Sequence, residues 1–134
     1  MTKIPSNIKT IKKKRENIFL FLSDFNNYEK LMPEKIINWQ STSSNCTFTI
    51  QGTADLGMQF ENKEEPAKIV VRDYGKVPFG FTIDMVLNEI QENETEVQFI
   101  LNANMSPILE MMAKKPLQNF LNILIDNLEP EIES

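Results

Sequence analysis

Hydrophobic positions along the chain follow two different periods, and the changes of period divide it into elements. From residue 35 to residue 104 apolar residues mostly alternate with polar ones, as at Phe81, Ile83 and Met85. Such alternation is typical of strands that have one face on a core and the other in water. Before and after this region, apolar residues recur at spacings of three and four, which predicts helices. The predicted strands are residues 3–12, 35–41, 46–52, 54–62, 67–73, 79–90 and 95–104, and the predicted helices are residues 14–22, 25–31 and 106–129.

The first strand and the last helix each have a predicted inner face. Ser106 followed by Pro107 is a good start for the last helix, since serine caps N-termini and proline fits the first helical position. Pro116 is expected to kink this helix, because the carbonyl of Met112 loses its donor. One side of the first strand comprises Ile4, Ser6, Ile8 and Thr10. One face of the last helix comprises Leu109, Met112, Ala113, Pro116, Phe120, Leu124 and Leu128.

The order of these elements predicts an α+β fold. We expect a strongly bent antiparallel sheet of about seven strands wrapped around a long C-terminal helix, with two short helices between strands 1 and 2. The helix 106–129 would span about 36 Å and the strand 79–90 about 40 Å, so one helix can cross the whole sheet. One helix cannot cover the entire concave face, so either large side chains fill the gap or a cavity remains. Residues 1–134 are expected to form a single domain.

Composition removes several kinds of chemistry. The chain has 134 residues, of which 41% are hydrophobic and 25% charged, as in ordinary globular proteins. It contains no histidine and one cysteine, Cys46. Histidine-dependent catalytic triads, histidine-ligated metals and cysteine-cluster metal sites are therefore excluded, and no cofactor is predicted.

Charge is distributed unevenly. The net charge is −5, yet residues 1–15 contain six of the 14 basic residues and none of the 19 acidic ones. Lysines at this end are typical of a solvated strand edge, and they form too small a basic surface to predict a nucleic-acid partner. No apolar run approaches the roughly 18 residues of a membrane span, and the N-terminus lacks the apolar region of a secretory signal. A cytoplasmic protein with no integral membrane association is expected.

The inner rows of the sheet and helix are the candidate binding site. Met112, Phe120 and Leu124 would form its lid, and methionine suits a site that accepts varied apolar shapes. The same side chains could equally form a solid core. Among the residues of strand 79–90 that are expected to face inward, the only carboxylate is Glu89, near the end of the strand. No catalytic residue is therefore predicted. The full set is Phe48, Ile50, Met58, Phe60, Phe81, Ile83, Met85, Val97, Phe99, Leu101, Met112, Phe120 and Leu124.

Four segments carry a resemblance to a known superfamily. They read FLFLSDFNNYEKLMPEKIINW (19–39), NCTFTIQGTADLGM (45–58), KVPFGFTI (76–83) and MAKKPLQNF (112–120). With the element order, they resemble the START and polyketide-cyclase superfamily (SRPBCC, birch-pollen-allergen-like), and within it a small bacterial subfamily. This resemblance implies the helix-grip fold. Its members include lipid and sterol carriers, metabolite binders, aromatase/cyclases, quinone-binding chaperones and co-chaperone domains.

Three functions follow from the fold and the resemblance. The first is non-enzymatic binding or transport of an apolar or amphipathic small molecule, lipid-, quinone- or polyketide-like, between sheet and helix. The second is a protein-interaction module, similar to co-chaperone domains, with a filled core. The third is a small cyclase or hydrolase. The iron-dependent ring-hydroxylating branch of the superfamily is excluded, because its metal needs two histidines.

Overall fold

One antiparallel sheet and one long helix make up most of the computed structural model, which describes residues 1–132. The predicted α+β helix-grip architecture is confirmed. The strands are Thr2–Pro5 (β1), Lys9–Ile11 (β2), Ile36–Ser41 (β3), Asn45–Ile50 (β4), Ala54–Glu64 (β5), Lys68–Asp73 (β6), Phe81–Gln91 (β7) and Glu94–Ala103 (β8). The helices are Arg15–Leu22 (α1), the 3-10 helix Phe25–Leu31, Pro107–Asp126 (α2) and Leu128–Glu131 (α3).

The sheet is built mainly from consecutive hairpins. Its strand order is β1-β8-β7-β6-β5-β4-β3, all neighbouring pairs are antiparallel, and β2 also pairs with β8. The inner face of each strand alternates with an outer face that is partly exposed, as in β8, where Val97, Phe99 and Leu101 are buried. The sheet is open, so its two edges are β3 and the β1–β2 segment.

The predicted first strand, residues 3–12, is interrupted, which makes eight strands instead of about seven. Pro5 pairs with Ile100 and Lys9 pairs with Val97, so three residues of the N-terminal segment face two residues of β8. This extra residue acts as a bulge and reverses the inner face. The prediction that Ile8 lies on the same side as Ile4 is therefore wrong: Ile8 is exposed, and Ile11 enters the core instead.

Polar contacts at this interruption attach the second half of α2 to the sheet. At the interruption the Ser6 amide donates to the Phe99 carbonyl at 2.8 Å, and the Phe99 amide donates to the Ser6 hydroxyl at 2.9 Å. On either side of it, the Gln118 side chain donates to the Pro5 carbonyl at 3.0 Å, and the Asn7 amide donates to the Asn122 side chain at 2.7 Å. Strand breaks leave backbone groups without a ladder partner, and here the helix supplies the partners.

Further contacts hold the end of the helical segment. The Lys12 amide donates to the Glu129 carboxylate at 2.6 Å, and Asn127 donates to the carbonyl of Leu31 at 2.9 Å. Among the described residues, the side-chain hydrogen bonds from the α2–α3 segment to other elements all start at or beyond Gln118. Within residues 1–132, no helix is both long enough and apolar enough to cross a membrane.

The inner face of α2 differs from the predicted one at its start. Met112 was expected to face inward, but its side chain is 70% exposed. The first turns of α2 are apolar on both faces, so spacing alone does not define the inner one. The helix continues through Pro116, where the predicted kink stays a prediction. The buried residues of α2 are Ala113, Leu117, Phe120, Leu121, Leu124 and Ile125.

Gly57 on β5 provides a test of this packing. A Cβ atom at Gly57 would overlap the carbonyl oxygen of Tyr74, a backbone atom that cannot move aside cheaply. Tyr74 also donates its amide hydrogen to the Gly57 carbonyl at 3.0 Å, which fixes the approach of the two segments. We expect Gly57→Ala to lower the free energy of unfolding by about 2 kcal/mol, measured by urea denaturation.

Gly80→Ala is the matched control. A Cβ atom at Gly80 has no heavy atom within 4 Å, so we expect a change within about 0.5 kcal/mol. Equal stability of the two variants would contradict the close approach at Gly57.

Candidate functional site

The core between sheet and α2 has two ends that differ in how tightly they are filled. At one end, beneath α1 and the 3-10 helix, Met85, Leu87, Val97 and Phe99 each have 0% exposed surface. A side chain with no accessible surface borders neither solvent nor an internal gap wide enough for water. We call this region the sealed end, and it leaves no room for a ligand in the described conformation.

The other end lies beneath the first half of α2 and is less tightly closed. The α2 backbone packs mainly against β1, β8 and the 3-10 helix and has few or no close approaches to β4 and β5, where contact depends on side chains such as Phe48 and Phe120. Several apolar side chains here retain 3–6% exposure, and others around them are only partly buried. We call this region the open end. It comprises Trp39, Phe48, Leu56, Val77, Phe79, Phe81, Met105, Leu109, Ala113 and Phe120.

Backbone pairing brings the parts of the open end together. Phe48 lies opposite Leu56 in the β4–β5 ladder. The segment between β6 and β7 closes against β5 through the Tyr74–Gly57 hydrogen bond, and its far end joins the start of α2 through Asn104 and Gly80. Two strands, one connecting segment and the first half of the helix therefore surround one apolar region.

Aromatic rings fill most of this region. Phe48 stacks between Trp39 and Phe120, with ring centroids 5.6 Å apart on both sides. Phe79 and Phe81 form a second, tilted pair at 5.9 Å. Trp39 donates from Nε1 to Ser41 at 3.2 Å, so its polar edge faces outward while its ring covers Phe48. Trp39 therefore covers the edge of this aromatic stack.

The thirteen predicted site residues fall into separate places. Phe48, Ile50, Phe81 and Phe120 lie at or beside the open end. Phe60 packs on Phe25, with ring centroids 4.2 Å apart, and Met112 faces away from the core. Their role in ligand binding stays a prediction. The remaining seven are almost completely buried: Met58, Ile83, Met85, Val97, Phe99, Leu101 and Leu124.

The predicted site omits several residues of the open end. Leu56 and Phe79 share the alternation of Met58 and Phe81, so the strand pattern contains the signal for both. Val77 lies in the segment that connects β6 and β7, where neither strand alternation nor helical spacing applies. Nothing in the sequence therefore identifies it as part of the open end.

Two buried side chains, Cys46 and Tyr28, have pKa values raised well above their ordinary values. Burial raises the pKa of the Cys46 thiol to about 12, although a backbone hydrogen bond from Met58 acts in the opposite direction. Burial, and then the nearby Cys46, raise the pKa of Tyr28 well above its usual value. The Tyr28 hydroxyl donates to the Leu22 carbonyl at 2.7 Å and lies 3.4 Å from the Met85 sulfur. Both groups are therefore neutral near pH 7, and Cys46, with 1% exposure, is part of the apolar core.

These shifts predict that alkali destabilises the fold. A group whose pKa is raised by folding stabilises the native state fully below its ordinary pKa and loses that contribution as pH rises toward the folded value. For Cys46 the window lies between pH 9.0 and about 12. We expect the free energy of unfolding to fall across this range, measured by urea denaturation at several pH values. In Cys46→Ala the fall should be less steep, and identical slopes would contradict the assignment.

Comparison with known proteins gives a consistent result for the fold. No protein-family model matches the chain, and no curated protein matches it in sequence. Among solved structures, XoxI from Bacillus cereus has a TM-score of 0.75 at 12% identity, covering 97% of this chain and 94% of that one. A START superfamily protein from Mycobacterium smegmatis has a TM-score of 0.75 at 16% identity, covering 97% and 96%.

A third similar structure contains bound small molecules. Norcoclaurine synthase from Thalictrum flavum, solved in complex with dopamine and hydroxybenzaldehyde, has a TM-score of 0.74 at 9% identity and covers 96% of this chain and 84% of that one. At sequence identities of 9%, 12% and 16%, these similarities establish a shared fold and do not establish an activity. The chain therefore has the START-like helix-grip fold that its sequence resembles.

Proposed function

We propose that this protein binds an apolar or amphipathic small molecule, lipid-, quinone- or polyketide-like, at the open end, without catalysing a reaction on it. The supporting observation is the group of apolar side chains beneath α2, up to Phe120, that are less completely buried than those of the sealed end, at a place where the helix backbone approaches β4 and β5 less closely than β1 and β8. Norcoclaurine synthase, with the same fold, holds the amphipathic molecules dopamine and hydroxybenzaldehyde.

A ligand would take the place of contacts between aromatic rings. The Phe48–Phe120 and Phe79–Phe81 pairs occupy the open end, and each such pair contributes about 0.5–1.5 kcal/mol beyond its burial. A ligand that buries about 100 Å² of apolar surface gains about 2.5 kcal/mol. The displaced rings also lose burial, and association itself costs several kcal/mol, so binding at the open end requires a ligand that buries a larger apolar area.

The attachment of α2 supports entry at this end. The hydrogen bonds that hold the helix to β1, β2 and the 3-10 helix lie in its second half and beyond. The first half is attached by apolar packing, and Ser106 caps its N-terminus by accepting from the Leu109 amide. Displacing the first turns of α2, which carry Leu109 and Ala113, would therefore uncover the open end on that side, while Phe120 stays between the anchored residues Gln118 and Asn122.

A protein-interaction module with a filled core is the second candidate. It is supported by the sealed end, where Met85, Val97 and Phe99 leave no internal space. The two candidates predict different results when an apolar compound is added: the first predicts binding at the open end, and the second predicts no binding. The cytoplasmic location and the absence of a nucleic-acid partner stay predictions.

Ala113→Trp tests the proposed site directly. Ala113 faces the open end from α2 and is 3% exposed, so a tryptophan there would occupy the space that a ligand needs. We expect the affinity for a fluorescent fatty acid to fall roughly tenfold, because an added ring must be displaced or compressed. Native mass spectrometry of the freshly purified wild type should also show an apolar adduct, which the variant loses.

Ile123→Trp is the control for this substitution. Ile123 lies on the same helix, half-buried and more than two turns farther along, away from the open end. It should retain the wild-type affinity. Unchanged affinity in a folded Ala113→Trp variant would contradict the site, and a wild type that takes up no fatty acid, quinone or sterol-like compound would favour the filled-core alternative.

A further inference from the structure

The outer face of the first turns of α2 is apolar. Ile108, Met111 and Met112 are 69%, 78% and 70% exposed, and their spacing of three and four places them on one side of the helix. Farther along the helix, the corresponding side is polar and carries Asn119 and Asp126. A surface helix normally presents polar residues to water, so these two turns depart from the pattern of the rest of α2.

Two lysines lie beside this apolar surface. Lys114 and Lys115 are exposed and, with Met111, border a surface depression of about 520 Å³. Neither lysine takes part in an ion pair with any residue of the described chain 1–132. Among residues 1–132, the acid that borders the depression is Glu110, which is half-buried in the first turn, where the helix dipole favours a negative charge.

We propose that this surface, which we call the α2 patch (Ile108, Met111, Met112, Lys114 and Lys115), docks on an anionic lipid bilayer. Exposed aliphatic side chains next to lysines suit the membrane interface, because the apolar groups enter the acyl boundary while the ammonium groups meet anionic headgroups. A stable protein dimer needs roughly 800 Å² from each partner, which is more than three exposed side chains provide. The net charge of −5 means that attraction to the bilayer is local to this patch.

The position of the patch connects docking to the open end. Ala113 and Leu109, on the inner side of the same turns, belong to the open end, while Met111 and Met112 face outward. A bilayer in contact with the α2 patch would therefore lie next to the entrance for an apolar molecule. The inference goes beyond the proposed function, because contact with a bilayer requires no bound cargo.

The test is cosedimentation of the full chain with phosphatidylcholine vesicles, with and without phosphatidylserine. We expect binding to the phosphatidylserine vesicles at low ionic strength and release as salt is added, because charge attraction is screened. The double variants Met111→Ser with Met112→Ser, and Lys114→Glu with Lys115→Glu, should each reduce the bound fraction at least about fivefold. All four side chains are exposed, so the fold should be retained, as checked by circular dichroism.

A matched control comes from a second surface depression, beside Glu131 and Ile132 at the far end of the C-terminal helical segment. Leu20 on α1 and Lys30 on the 3-10 helix are also exposed and border this depression. Leu20→Ser with Lys30→Glu should leave vesicle binding unchanged. Absence of sedimentation, equal binding to neutral vesicles, or equal loss in this control would overturn the proposal. It would also be overturned by self-association that Met111→Ser with Met112→Ser abolishes in a protein that ignores vesicles, since a second copy would then occupy the patch.

Discussion

The attachment of α2 to the break between β1 and β2 determines the arrangement of the whole core. Gln118 and Asn122 lie one helical turn apart, and they satisfy the backbone groups of Pro5 and Asn7 that flank the break. Two such contacts on the same side of a helix fix its rotation about its own axis. Leu117 and Leu121 must then point into the sheet, and the first turns must present Met111 and Met112 to the outside.

This one-sided attachment also explains why the core is uneven. Near β1, β8 and the 3-10 helix, polar contacts and close backbone approach allow side chains to fill all space. Toward β4 and β5 the helix is more distant, and the gap is filled by rings such as Phe48 and Phe120 that stack on one another. Under the proposed function, binding and stability belong to different ends of one core, since a ligand can replace ring contacts more easily than a hydrogen-bonded anchor.

Much of the architecture could be predicted from the sequence, because alternation and helical spacing record burial residue by residue. Phe48, Phe81 and Phe120 were predicted on the inner face and lie there. Ile8 and Met112 were misplaced for different reasons. For Ile8, a one-residue bulge exchanges the inner and outer faces of the strand without changing its composition. For Met112, a helix turn that is apolar on both sides has no unique inner face. The division into open and sealed ends depends on the distance between α2 and β4, which no local pattern encodes.

The pairing of the N-terminal strands with the end of the chain has a consequence for biosynthesis. Thr2 lies opposite Ala103, and Lys12 is bonded to Glu129, so both N-terminal strands find their partners only after about a hundred further residues have left the ribosome. The hairpins from β3 to β7 can form earlier, because each strand pairs with its immediate successor. The lysine-rich segment therefore becomes ordered after the hairpins that follow it in the chain.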